Sequence, residues 1–186
     1  MYSLAITLVE EGIYDKATIY ATDNGAYALH LARVSPVPVI EPCDKERIEP
    51  RHVDVAPANY HMEVERDGFI ALSVDEKISF SRPSIDVLLE SAAHVWGKDL
   101  IAVILSGANF DGTEGIRIVL ELGGMTIAQD PVTAEHPVMH RDAIEATRIT
   151  KVLSPRQIGS FCANVMASTS SSSIQRIHLS RGQENE

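Results

Sequence analysis

Cysteine is scarce: Cys43 and Cys162 are the only two among 186 residues, and they stand in neither CxxC nor metal-ligand spacing. That argues against a disulfide scaffold and sets a reducing cytoplasm as the expected compartment. Positive charge is also in short supply, with 16 Lys and Arg against 26 Asp and Glu and a formal net charge of −10. Nucleic-acid grooves draw on clustered Lys and Arg, so no nucleic-acid partner is expected. Long apolar runs are lacking as well. The stretch Leu4 to Val9 is interrupted at once by Glu10 and Glu11, far short of the roughly 20 apolar residues of a membrane span, so neither a signal peptide nor membrane insertion is expected. What is present is 45% hydrophobic residues, enough for one compact domain and too little for two full-sized ones.

The apolar pattern alternates between helical and strand periods. Leu4, Ala5, Leu8 and Val9 predict a helix ending at Gly12, and the β-branched Ala17 to Thr22 a strand. A short helix over Ala28 to Val34 and a short buried strand over Val37 to Ile40 are expected next. Between Met62 and Leu72 two alternating runs flank Arg66-Asp67-Gly68, a β-hairpin signal. Ile85, Leu88, Leu89, Ala92 and Val95 then line one helical face between Pro83 and Gly97. Leu100 to Leu105 is continuously apolar, which predicts a strand buried on both faces of a parallel sheet. A helix through Leu122, a strand over Met125 to Ala128, a short helix over Ala143 to Thr147, a strand over Ile149 to Leu153 and a last helix complete the alternation. The expected fold is a three-layer α/β/α doubly wound domain, its mainly parallel sheet carrying an inserted hairpin, with ligands at the carboxyl ends of the strands. The serine run from Ser168 to Ser173 opens a polar tail, expected to be disordered.

Asp111 follows the most hydrophobic strand, and that location makes it the leading site candidate. A second reading stays open, because Asp111-Gly112-Thr113-Glu114 has the spacing of a capping box. A carboxylate engaged as a cap has fewer lone pairs left to orient an imidazole. Arg82-Pro83-Ser84 puts a guanidinium and a hydroxyl at a helix start, where a substrate carboxylate can dock or a local cap can form. His136 and His140 are four apart, but Pro137 lies between them and no third ligand is spaced to help, so no metal site is expected. Ser106 lacks the Gly-x-Ser-x-Gly context of a nucleophile elbow.

From about Leu29 to Ala167 the chain resembles the catalytic domain of the CheB family, the chemotaxis protein-glutamate methylesterases. The resemblance is carried by Leu31 to Val39, Ala56 to His61, Phe80 to Leu88 with Arg-Pro-Ser-Ile-Asp, Ile104 to Gly112 with Ser-Gly-Ala-Asn-Phe-Asp-Gly, and Gly123 to Pro131. It implies an α/β domain that hydrolyses receptor glutamate methyl esters with a Ser-His-Asp triad and no cofactor. It further implies methylated chemoreceptor cytoplasmic helices as partners, Asp111 as the triad acid, and Arg82, Ser84 and Asn109 as substrate-binding residues. The family's serine turn and its histidine belong upstream of Leu29, and neither motif occurs in these 186 residues. Where the family usually has Met-Pro, this chain has Met139-His140.

Residues 1–24 instead resemble a fragment of the CheR methyltransferase family, through Tyr2-Ser3-Leu4-Ala5 and Tyr20-Ala21-Thr22-Asp23. That family uses S-adenosylmethionine, but the glycine-rich turn that would accompany Asp23 is missing. The expected division is thus a fragment at 1–24, an incomplete methylesterase domain at 25–167 and a tail at 168–186. Three functions follow as expectations: an esterase domain that is inactive as it stands, a non-catalytic module that docks receptor or partner, or a remnant at Asp23 that binds S-adenosylmethionine.

Overall fold

A computed structural model describes residues 17–19, 28–29, 32–33, 35, 37–49, 52–105, 111–133, 148–161 and 164. The expected helix at Leu4 to Val9, Asp23, Ser106, Asn109, His136, His140, the helix at Ala143 to Thr147 and the serine tail lie outside them.

Eight strands are described, β1 (Ala17–Ile19), β2 (Val39–Ile40), β3 (Val53–Val55), β4 (His61–Val64), β5 (Ile70–Ser73), β6 (Ile101–Ile104), β7 (Met125–Gln129) and β8 (Lys151–Leu153). Helix α1 (Ile85–Trp96) precedes β6, and α2 (Thr113–Glu121) joins β6 to β7. Pairing is parallel in the order β1-β3-β2 and again in the order β6-β7-β8, while β4 and β5 form an antiparallel hairpin. The α/β class, the mainly parallel pairing and the hairpin thus match expectation, and among the described residues the parallel strands fall into two three-stranded groups. No helix among the described residues is long and apolar enough to cross a membrane.

Each element follows from local chemistry. The hairpin turns through Asp67-Gly68, with Gly68 at φ 77°, the Glu65 amide donating to the Phe69 carbonyl and the Gly68 amide to the Glu65 carbonyl. Helix α1 begins at Ser84, whose hydroxyl accepts from the Val87 amide, and ends at Gly97, whose N–H donates to the Ala93 carbonyl. Its apolar residues serve two clusters. Ala93 packs with Ala102, Ile104, Ile116 and Val119, while Leu88 and Ala92 pack with Ala56, Met62, Val64 and Ile70. Each fully buried Ile or Met contributes about 1.5–3 kcal/mol relative to exposure, so α1 is fixed from both sides.

Two expectations need correction. Strand β2 is half-buried rather than buried, because it lies at the outer edge of its group with β3 on one side. In β6, Ala102 and Ile104 are buried while Ile101 and Val103 are only partly so. A run of one residue type along the sequence does not reveal which face is covered more deeply.

Asp54 lies in the middle of β3, opposite Thr18 on one side and Ile40 on the other, and is only 2% exposed. Burial pushes its carboxyl up to about 6 from an ordinary 3.8; Glu46 adds to the rise and His52 opposes it. A carboxyl with a raised folded value binds its proton better when folded, so its contribution to stability is most favourable below 3.8 and is lost as pH rises through 6. Asp54→Asn is therefore expected to gain on the wild type by about 2 kcal/mol between pH 4 and pH 7. Urea unfolding at the two pH values checks this, and a pH-independent difference would show that the carboxyl is not held in this environment.

Candidate active site

The site candidate lies beyond the carboxyl end of β6, where the chain turns through Asp111 and Gly112 into α2. Asp111 is 0% exposed. Its Oδ1 accepts from the Ser84 hydroxyl at 2.7 Å and from the Asp86 amide at 3.1 Å, and its Oδ2 from the Ile85 amide at 2.8 Å. The carboxylate therefore occupies the N-terminus of α1, where free N–H groups and the helix dipole favour negative charge.

The capping-box reading fails in an informative way. Asp111 caps a helix, but not its own: the N-cap of α2 is Gly112, at φ 107°, with no side-chain cap bond. Glu114 does not reach back; it pairs with Arg117, which also holds Glu121, and Arg117 keeps the Glu114 carboxyl below its ordinary range. The α2 amides are served from across the interface, where Asp86 Oδ1 accepts from Gly112 N–H at 2.9 Å and Gly115 N–H at 2.7 Å. Burial pushes the Asp86 carboxyl up, opposed first by the Gly115 amide, while the Asp111 charge adds to the rise. Two aspartates thus cap each other's helix. Asp86 is the site residue that sequence reasoning missed; its signal was a place in the first turn of α1, two residues after Ser84.

Of the expected substrate-binding residues, Ser84 and Arg82 are among those described. Ser84 is fully buried, with its hydroxyl donating to Asp111, so it supports the carboxylate from behind. Arg82 Nη1 donates to the Val74 carbonyl at 2.7 Å and the Asp75 carbonyl at 2.8 Å. Those bonds brace the loop between β5 and α1. Ile78 and Ser81 exchange backbone bonds within it, and His61 Nε2 lies 3.0 Å from the Glu76 carbonyl. Despite this bracing the loop presents Phe80 to solvent, 97% exposed and at φ 64°. Among the described residues no group of three His, Cys, Asp or Glu is arranged to hold a metal.

Parallel α/β architecture with a buried carboxylate at the carboxyl end of a strand places this chain in the doubly wound class. The model of the CheB methylesterase family matches residues 19–162, and the chain belongs to that family. A Leptospira interrogans protein named as a protein-glutamate methylesterase/protein-glutamine glutaminase is 44% identical over 140 residues, covering 75% of this chain and 72% of that one. One from Pseudomonas aeruginosa is 37% identical over 131 residues, 69% of this chain but 38% of its own length. The crystal structure of the Thermotoga maritima CheB methylesterase catalytic domain superposes with a TM-score of 0.80 at 27% identity, covering 88% of this chain and 92% of that one. None of these matches carries the methyltransferase resemblance of residues 1–24. Moreover, β1 pairs in parallel with β3, so residues 17–19 share a sheet with the strands of the α/β domain.

Proposed function

We propose that this chain is a CheB-type protein-glutamate methylesterase domain in which Asp111 is the triad acid and which, by itself, turns over no ester. Hydrolysis of a receptor glutamate methyl ester yields glutamate and methanol and requires a serine to attack the carbonyl and an imidazole to take and return its proton. An aspartate serves only through that imidazole, holding its tautomer and offsetting the charge of the imidazolium. The observation that carries the assignment is the Asp111 carboxylate itself: three donors fix it, and among the described residues Oδ2 accepts from the Ile85 amide alone, which leaves a lone pair for an imidazole N–H.

The inactivity rests on sequence. No Gly-x-Ser-x-Gly turn occurs in the chain, and triad hydrolases stripped of their catalytic residues keep only about 10³–10⁴-fold over water. In this reading Arg82 shapes the loop beside the site, Ser84 supports Asp111, and Asn109 remains the substrate-side residue. The domain is taken as 25–167, extended by β1, with methylated receptor helices as its partner and a cytoplasmic setting. For residues 1–24 the methyltransferase-like reading rests on their own two short stretches alone.

The test is methanol release from methylated receptor. The chain alone is expected to give none above background. A chimera whose residues upstream of Leu29 come from the corresponding part of the Leptospira interrogans relative is expected to release methanol, and to lose that release on Asp111→Asn while remaining folded. Enzyme-like release by the unaltered chain, on the order of 1 per second, would overturn the inactive reading and make Ser106 and His140 the first residues to mutate. A chimera indifferent to Asp111→Asn would remove Asp111 from the triad.

A further inference from the structure

Asp86 holds a carboxylate in a place where one is costly. It is half-buried within the α1–α2 interface, with the like charge of Asp111 close enough to oppose its ionisation. A local cap for α2 is closed off, since Gly112, the N-cap position, stands at φ 107° and a Cβ there would come within 3.0 Å of Ile85 Cγ2. Nor would a local cap provide a fixed relation between the two helix starts. The Asp86 backbone amide donates to Asp111 Oδ1, while the Asp86 side chain takes the N–H of Gly112, the residue that follows Asp111. One residue therefore grips the Asp111 turn from both sides.

The surroundings leave that turn little room. A Cβ on Gly112 would come within 3.0 Å of Ile85 Cγ2 and 3.1 Å of Ile104 Cδ1, and one on Gly115 within 2.7 Å of Leu89 Cβ. The amides that Asp86 accepts are presented by backbone lying almost against α1. From these contacts we infer that Asp86 is a positioning residue for Asp111: by accepting the Gly112 and Gly115 amides it sets the direction in which Asp111 Oδ2 offers its remaining lone pair. This rests on the reading of Asp111 as the triad acid, but it concerns a geometry that is measurable without substrate.

The full chain, labelled with carbon-13 and nitrogen-15, allows detection of couplings through the hydrogen bonds from the Ile85 and Asp86 amide nitrogens to the Asp111 carboxyl carbon. Asp86→Ala, which leaves every backbone donor in place, is expected to lose both couplings and to speed Ile85 amide exchange by tenfold or more. Asp86→Asn keeps an acceptor oxygen at the same reach and is expected to retain both. Asp86→Glu keeps the charge but displaces the oxygen by one methylene, and is expected to weaken them. If Asp86→Ala is too unstable to study, the Asn and Glu variants decide between acceptor position and charge. Wild-type couplings in folded Asp86→Ala, or couplings kept in Glu and lost in Asn, would overturn the inference. Failure of the methanol assay on the chimera would leave these couplings untouched, so the two readings fail separately.

Discussion

Replacing Asp111 by alanine is expected to lower the unfolding free energy by about 3–5 kcal/mol. Three donors lose their acceptor at once: the Ser84 hydroxyl, which is fully buried, and the Ile85 and Asp86 amides at the start of α1. A buried donor left without a partner costs about 1–3 kcal/mol, and a domain of this size has roughly 5–15 kcal/mol in total. Asparagine retains one carbonyl oxygen but turns an NH₂ toward one set of donors, so Asp111→Asn is expected to cost about half as much. Urea denaturation followed by circular dichroism measures both. A loss below about 1 kcal/mol in the alanine variant would mean that the carboxylate is not seated on α1 in solution. The same experiment supplies the correction needed for any activity assay on Asp111 variants, because loss of fold and loss of chemistry otherwise look alike.

Gly115→Val is expected to be similarly severe, at about 3 kcal/mol or more. Gly115 lies in the first turns of α2, buried, where a Cβ would stand 2.7 Å from Leu89 Cβ, 3.2 Å from the Asp86 Cα and 3.2 Å from Leu89 Cδ1. Two of those three atoms belong to the rigid part of a neighbouring helix and cannot swing away. Relief would come from separating α1 and α2, which would stretch the Gly115 N–H bond to Asp86 and empty the cluster around Ala93, Ile116 and Val119. Gly68→Ala provides the contrast. Its Cβ would have nothing within 4 Å, so only the strain of φ 77° is felt, about 1 kcal/mol. Thermal melts of the two variants should separate clearly, and equal melting temperatures would show that the helices are not in this close contact.

Much of the fold was legible because local signals and tertiary structure agreed. The α1 face, with its stop at Gly97, and the Asp67-Gly68 turn both appear where periodicity and turn chemistry put them. Asp111 was legible as a place, at the mouth of the sheet, but not as a set of bonds. Its spacing to Glu114 suggested a local cap, and locality misled. Arg117, one helical turn after Glu114, takes that carboxylate, and the donors that Asp111 serves stand 25–27 residues earlier in the chain. No spacing rule reaches across a helix, a strand and two loops. Ser84 illustrates the same limit from the other side: a hydroxyl at a helix start reads as available to a ligand, and only burial shows that it faces inward.

The loop carrying Phe80 has a further consequence, for how proteases meet this protein. Phe80 is exposed enough to enter the pocket of an endopeptidase that cuts after aromatic residues. Such an enzyme must also draw several flanking residues into an extended strand across its cleft. Here the flanks are tied: Ile78 and Ser81 bind each other, and Arg82 holds the carbonyls of Val74 and Asp75. Cleavage at Phe80 thus waits on a local opening that releases Arg82, two residues before Ser84 and the seat of Asp111. Nicking at that bond is thereby a clock for the opening of the site's own wall, readable on a gel without any substrate for the site itself.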